Sequence, residues 1–142
     1  MKRIAFVGNY LPRKCGIATF TTDLCESIAS EYNKLTCLAL AVNDEEAGYV
    51  YPPRVRFELT ENDIVSYRRT ADFLNINNVD VVSLQHEYGI FGGVAGSHIL
   101  VLLRELPRPA VPLLQDTVFS RAINAFVSGA IFLCLRPFLL FS

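Results

Sequence analysis

Gly8-Asn9-Tyr10-Leu11-Pro12-Arg13-Lys14-Cys15-Gly16-Ile17-Ala18-Thr19-Phe20 joins an apolar strand to a helix, and its reading decides the fold. Before it, Arg3 to Val7 carries Ile4, Ala5, Phe6 and Val7 in a row. Such a run suits a parallel strand buried on both faces. After it, Ile17, Phe20, Thr21, Leu24, Ile28 and Tyr32 recur near a 3.6-residue period, which predicts an amphipathic helix with that face inward. Gly16 falls where loop becomes helix. The first N–H groups of a helix lack internal partners and lie at the positive end of its dipole. A glycine there lets a ligand come close to the backbone, and Arg13 and Lys14 add positive charge. This chemistry suits an anionic or sugar-like ligand. The plainer alternative is an ordinary strand-to-helix turn with a packing glycine. Neither the dinucleotide fingerprint G-x-G-x-x-G nor the phosphate loop G-x-x-x-x-G-K-[ST] is present.

Working outward, Leu35 to Val42 reads as a second strand, and Val55 to Leu59 alternates as a half-exposed third. Between them lies the polar loop Asn43 to Gly48, closed by Pro52-Pro53. Thr60-Glu61-Asn62-Asp63 opens a helix capped by Thr60 or Asn62, with Ile64, Tyr67, Ala71 and Leu74 on its inner face. Arg68, Arg69 and Asp72 belong to its solvated side, and Asn77-Asn78 ends it. Val79 to Leu84 is a buried strand, followed by the loop Gln85 to Gly93 and a helix from Gly96 to Leu106. Pro107 and Pro109 stop that helix, and Ala110 to Leu114 is a fifth strand. The order β-α-β-β-α-β-α-β predicts an α/β, Rossmann-like, mostly parallel sheet with helices on both faces.

With 142 residues, one domain is the expectation, and 51% hydrophobic residues suffice for a core. The net charge of −1 gives no electrostatic reason to expect nucleic acid as a partner. Cys15, Cys25, Cys37 and Cys134 match no zinc spacing and read as reduced thiols. Cys15 stands apart by its place at a helix start beside Lys14. The first residues lack the long apolar region of a signal peptide, which leads to the expectation of a cytoplasmic protein.

A second polar stretch, Gln85-His86-Glu87-Tyr88-Gly89, falls at the same sheet edge as Gly16. Loops at that edge of open α/β sheets commonly carry ligands. His86 can hydrogen-bond a hydroxyl. Glu87 can accept sugar hydroxyls or fix His86, and Tyr88 can stack on a sugar ring. The alternative is a turn-making loop whose His caps a helix. His98, on an apolar helix, reads as structural.

Arg3–Gly8, the segment Pro12-Arg13-Lys14-Cys15-Gly16-Ile17-Ala18-Thr19-Phe20, and Val79–Gly93 with its Gln85-His86-Glu87-Tyr88-Gly89 together resemble the amino-terminal half of bacterial family-4 glycosyltransferases. These enzymes have the two-Rossmann-domain GT-B fold. The resemblance covers residues 1 to 111. It implies retaining transfer of a sugar from a nucleotide-sugar donor without an obligatory metal or other cofactor. The amino-terminal domain then mostly holds the acceptor, and its glycine loop reaches towards the donor phosphates. Lys14, Cys15, Gly16, Ile17, His86, Glu87, Tyr88 and Gly89 are the substrate-binding residues it implies, and the partners are a sugar acceptor and a nucleotide sugar. Two features depart from the family pattern. Leu113-Leu114-Gln115-Asp116-Thr117 lacks the family's Leu-His-Thr-type histidine, and no donor-binding domain follows. The expectation is half an active site, inactive alone. A non-catalytic α/β sugar- or nucleotide-binding module is the alternative.

Residues 112 to 142 form an apolar tail. From Ala122 to Phe141 the one charge is Arg136, beside Pro137. The tail admits three readings: a frameshifted, non-native end with an aggregation-prone apolar patch, a core helix, or a membrane contact through 122–141. A bilayer span needs about 20 apolar residues, reached here only by including Arg136 and Pro137.

Overall fold

The computed structural model describes residues 2–87, 89–106 and 110–114. Strand β1 (Lys2–Gly8) leads into helix α1 (Gly16–Glu31), then β2 (Leu35–Asn43) and β3 (Val55–Thr60). Helix α2 (Ile64–Ile76), β4 (Val81–His86), a 3-10 turn (Val94–Gly96), α3 (Ile99–Glu105) and β5 (Ala110–Leu114) follow. All the strand pairs are parallel, in the order β3-β2-β1-β4-β5. The fold is a Rossmann-like α/β sheet, as the element order implied. Tyr88, the prolines at 107 and 109, and the tail beyond Leu114 lie outside the described residues.

The central strands are buried on both faces, and their alternation sorts the core into two layers. Ala5, Val7, Leu38, Leu40, Val42 and Leu84 face Tyr67 and Leu74 of α2 and Ile99 and Leu102 of α3. Phe6, Cys37, Ala39 and Ala41 face Tyr10 and, on α1, Cys25, Leu24 and Ile28. Edge strand β3 alternates half-buried Val55 and Phe57 with exposed Arg56 and Glu58 before buried Leu59, as its half-exposed pattern implied.

Several boundaries and faces differ from the sequence reading. Helix α1 buries Ile17, Ala18, Thr21 and Cys25, while Phe20 (41% exposed) and Tyr32 (58%) point outward. The sheet beneath is paved with Ala39, Ala41 and Cys37. A helix that settles close to such small residues turns its own small side chains inward. Helix α2 is capped by Asp63, whose carboxylate accepts from the Val65 N–H at 3.0 Å. Thr60 still belongs to β3, and its N–H donates to Ser66 Oγ at 2.8 Å. Ile64 is exposed, whereas Tyr67, Ala71 and Leu74 are buried as expected. Strand β4 starts and ends two residues later than read, because its pairing with β5 continues through Gln85 and His86. Helix α3 starts at Ile99, since Ala95 and Gly96 take positive φ and break the run from 96. Among the described residues no helix is long and apolar enough to cross a membrane.

Burial also sets a pH response. Desolvation pushes the Cys25 thiol up to about 12 from 9.0 and the Tyr67 phenol up to about 12 from 10.0. It raises Tyr10 as well. Above about pH 9 the unfolded chain loses protons that the folded chain keeps, so stability falls as pH rises and is fully present below that point. Urea unfolding midpoints are expected to drop between about pH 8 and about pH 11, and Tyr10→Phe is expected to reduce the slope. A flat profile would show that these groups reach solvent.

Candidate functional site

The crossover from β1 runs to β2 on one side, and β4 leads to β5 on the other. The topological switch therefore lies between β1 and β4, at the carboxyl ends where open α/β sheets place ligands. Both sequence-predicted loops leave the sheet there. Gly8 and Gln85 pack so closely that a Cβ at Gly8 would lie 2.8 Å from Gln85 Cβ.

From β1 the chain turns through Asn9 to Cys15. The Leu11–Pro12 peptide is cis. The Leu11 N–H donates to Thr22 Oγ1 at 3.2 Å, which ties the first half of the loop to α1. Cys15 is the N-cap residue and makes no side-chain cap bond, and the first turn holds no acidic residue. The first intrahelical bond runs from the Thr19 N–H to the Cys15 carbonyl, at 3.2 Å. The N–H groups of Gly16, Ile17 and Ala18 precede it and have no acceptor within the helix. Gly16 is exposed, and a Cβ there would meet nothing within 4 Å among the described residues.

The expected site residues separate into groups. Lys14 and Gly16 are exposed beside the helix start, and Cys15 is half-buried, with its sulfur 3.5 Å from Asn9 Nδ2. Ile17 packs its side chain into the core, so at the helix start it presents its main chain. Arg13 is also turned away, with an ion pair to Asp44 at 3.2 Å. Across the switch, His86 is the last residue of β4 and packs against Phe91, with ring centroids 5.5 Å apart and the rings tilted by 45°. Glu87 and Gly89 are exposed in the loop that follows. His98 is the N-cap residue at the start of α3, its ring edge-on to Tyr67 at 5.6 Å.

Sequence reasoning missed three participants. Asn9 and Gln85 are polar yet buried, and Phe91 forms the floor against which His86 rests. Gln85 Nε2 donates to Ser83 Oγ at 2.8 Å, while its Oε1 is buried without a partner among the described residues. Period-2 alternation inside β4 puts Ser83 and Gln85 on one face, and that was the available signal.

Two surface hollows lie apart from the helix start and from the end of β4. One of about 600 Å³, lined by Ile4, Ile28, Tyr32, Leu35 and Val81, opens at the amino ends of the strands. Another of about 540 Å³ lies beside Leu11, Pro12, Thr22 and Tyr51. Neither is lined by Gly16, His86 or Glu87. No group of three His, Cys, Asp or Glu side chains is gathered for a metal among the described residues.

No family model matches the chain. No curated protein matches it either. A solved structure described as "Solution structure of a phosphate-loop protein" is similar, with 13% identity, a TM-score of 0.43 and 88% of each chain covered.

Proposed function

We propose that this chain is the amino-terminal, acceptor-side half of a retaining glycosyltransferase that uses a nucleotide-sugar donor. One observation carries the reading. The turn through Arg13 into α1 follows β1, and Glu87 follows β4, some 70 positions later in sequence, yet β1 and β4 are neighbours whose carboxyl ends meet at the switch point. In this role the free N–H groups at Gly16 and Ile17 take developing negative charge on the donor phosphates. Lys14 adds an exposed cation. Glu87, beside His86, accepts hydroxyls of the sugar. The acceptor and the nucleotide sugar are the partners, and the chemistry requires no obligatory metal or cofactor.

The test is amide-resolved titration of the chain with UDP-glucose, GDP-mannose and their nucleotides. Shifts are expected at Gly16, Ile17 and Ala18 and at Glu87 and Gly89. Shifts confined to the amino-end hollow, or none with any of these ligands, would remove the proposal. Binding by the chain is expected without turnover. Alignment of two held reactants contributes about 7–11 kcal/mol in such reactions, and one Rossmann-like unit supplies one side of that alignment. Donor-dependent glycoside formed by the purified chain would overturn this part, and would leave the location of the site standing.

A further inference from the structure

Helix α1 begins without any side-chain cap, yet its first turn has to be held in place if its N–H groups are to receive a ligand. The hold comes from outside the helix. Arg13 is mostly covered, with its side chain 16% exposed. Its Nη1 donates to Asn9 Oδ1 at 3.1 Å and to the Val42 carbonyl at 3.2 Å. Its Nη2 pairs with Asp44 at 3.2 Å. Asn9 in turn directs its amide nitrogen to the sulfur of Cys15 at 3.5 Å. A continuous chain, Asp44–Arg13–Asn9–Cys15, thus ties the residue before Gly16 to the end of β2.

We infer that Arg13 is a positioning residue: it fixes the β1–α1 turn from the β2 side and leaves the first N–H groups of α1 open. The inference rests on the reading that Gly16 faces ligand. A conventional Ser, Thr, Asp or Asn cap would hold the turn equally well but would occupy an N–H group that the ligand needs. The planar guanidinium suits the task because its donors form a rigid fork that can reach a carboxylate, an amide oxygen and a carbonyl at once. Asp44 neutralises Arg13 locally, so Lys14 is the cation left beside Gly16 to attract an anion.

Three variants test this, with UDP as the probe. Arg13→Gln is expected to weaken UDP binding about tenfold. It should also speed hydrogen exchange of the Cys15 and Thr19 amides in the ligand-free chain, with β1 core amides unchanged. Arg13→Lys retains the charge and loses the fork, so it should behave like Arg13→Gln. Lys14→Gln should weaken binding and flatten its salt dependence, while leaving exchange untouched. Full rescue by Arg13→Lys, or a flattened salt dependence in Arg13→Gln, would mean that Arg13 meets the ligand and would overturn the inference. If the wild-type chain binds no UDP, the functional proposal suffers, and the exchange measurement still decides the positioning role. Unchanged Cys15 and Thr19 exchange in Arg13→Gln overturns it.

Discussion

Gly16→Val should leave the fold as stable as before, or slightly more so, and reduce ligand binding at the switch point by well over tenfold. Neither usual structural reason for a glycine applies at this position. Its φ is not among the positive ones, and an added Cβ would stand in open space. Glycine costs about 0.8–1.0 kcal/mol relative to alanine inside a helix, so any side chain here recovers part of that cost. Among the described residues no contact requires a glycine here, and close approach of a ligand to the backbone is the role we propose for it. A β-branched side chain would stand over the N–H groups of Gly16 and Ile17 and block that approach. Binding of UDP or UDP-glucose, followed at the Ala18 amide, together with a thermal melt, separates the two effects. Undiminished affinity in the valine variant would end the assignment of Gly16 to the site. A large drop in melting temperature would show that the residue is structural after all.

The opposite behaviour is expected at Gly92, where alanine should be strongly destabilising. Gly92 is buried, and a Cβ there would overlap the Glu61 carbonyl oxygen. It would also lie 2.8 Å from both Asn62 Oδ1 and His98 Nδ1. The backbone cannot move away cheaply, because this position is a cross-link between the ends of β3 and β4. The Gly92 N–H is shared between the Glu61 carbonyl and the Tyr67 hydroxyl, each at 3.1 Å. The Tyr67 hydroxyl itself donates to the Glu61 carbonyl at 2.8 Å. The His98 N–H donates to the Gly92 carbonyl at 3.0 Å. Overpacking costs about 1–3 kcal/mol, and each buried group left unpaired adds about 1–3 kcal/mol. A loss of about 3 kcal/mol or more is therefore expected in urea unfolding, with displaced signals at Glu87 and Gly89. A loss below about 0.5 kcal/mol, the range of ordinary surface changes, would mean that this junction is loosely held.

What the sequence determined by itself is what depends on neighbours along the chain. The apolar run Ile4 to Val7 needs burial on both faces, and that need alone implies a parallel sheet between two layers. The alternation of strands and helices, and the polar stops at Asn33 and Asn77-Asn78, follow from local preference in the same way. The two loops at the carboxyl edge were legible for the same reason, since every strand of a parallel sheet ends at one edge. Periodicity could not say which side of α1 faces inward. Leu24 and Cys25 point about 100° apart around the helix, and either can border a broad apolar stripe; only the floor of Ala39 and Ala41, supplied by another strand, made Cys25 the more buried and left Phe20 outside. Likewise β4 reaches His86 because β5 is there to pair with it, not because of its own composition. Arg13 was read as a charge offered to a ligand, because beside Lys14 nothing in the sequence distinguishes the two. The ion pair with Asp44, 31 positions away, exists only once β1 and β2 lie side by side. Tertiary structure decided between the two cations, since hydrogen bonds and ion pairs act over a few ångströms of space and take no account of distance along the chain.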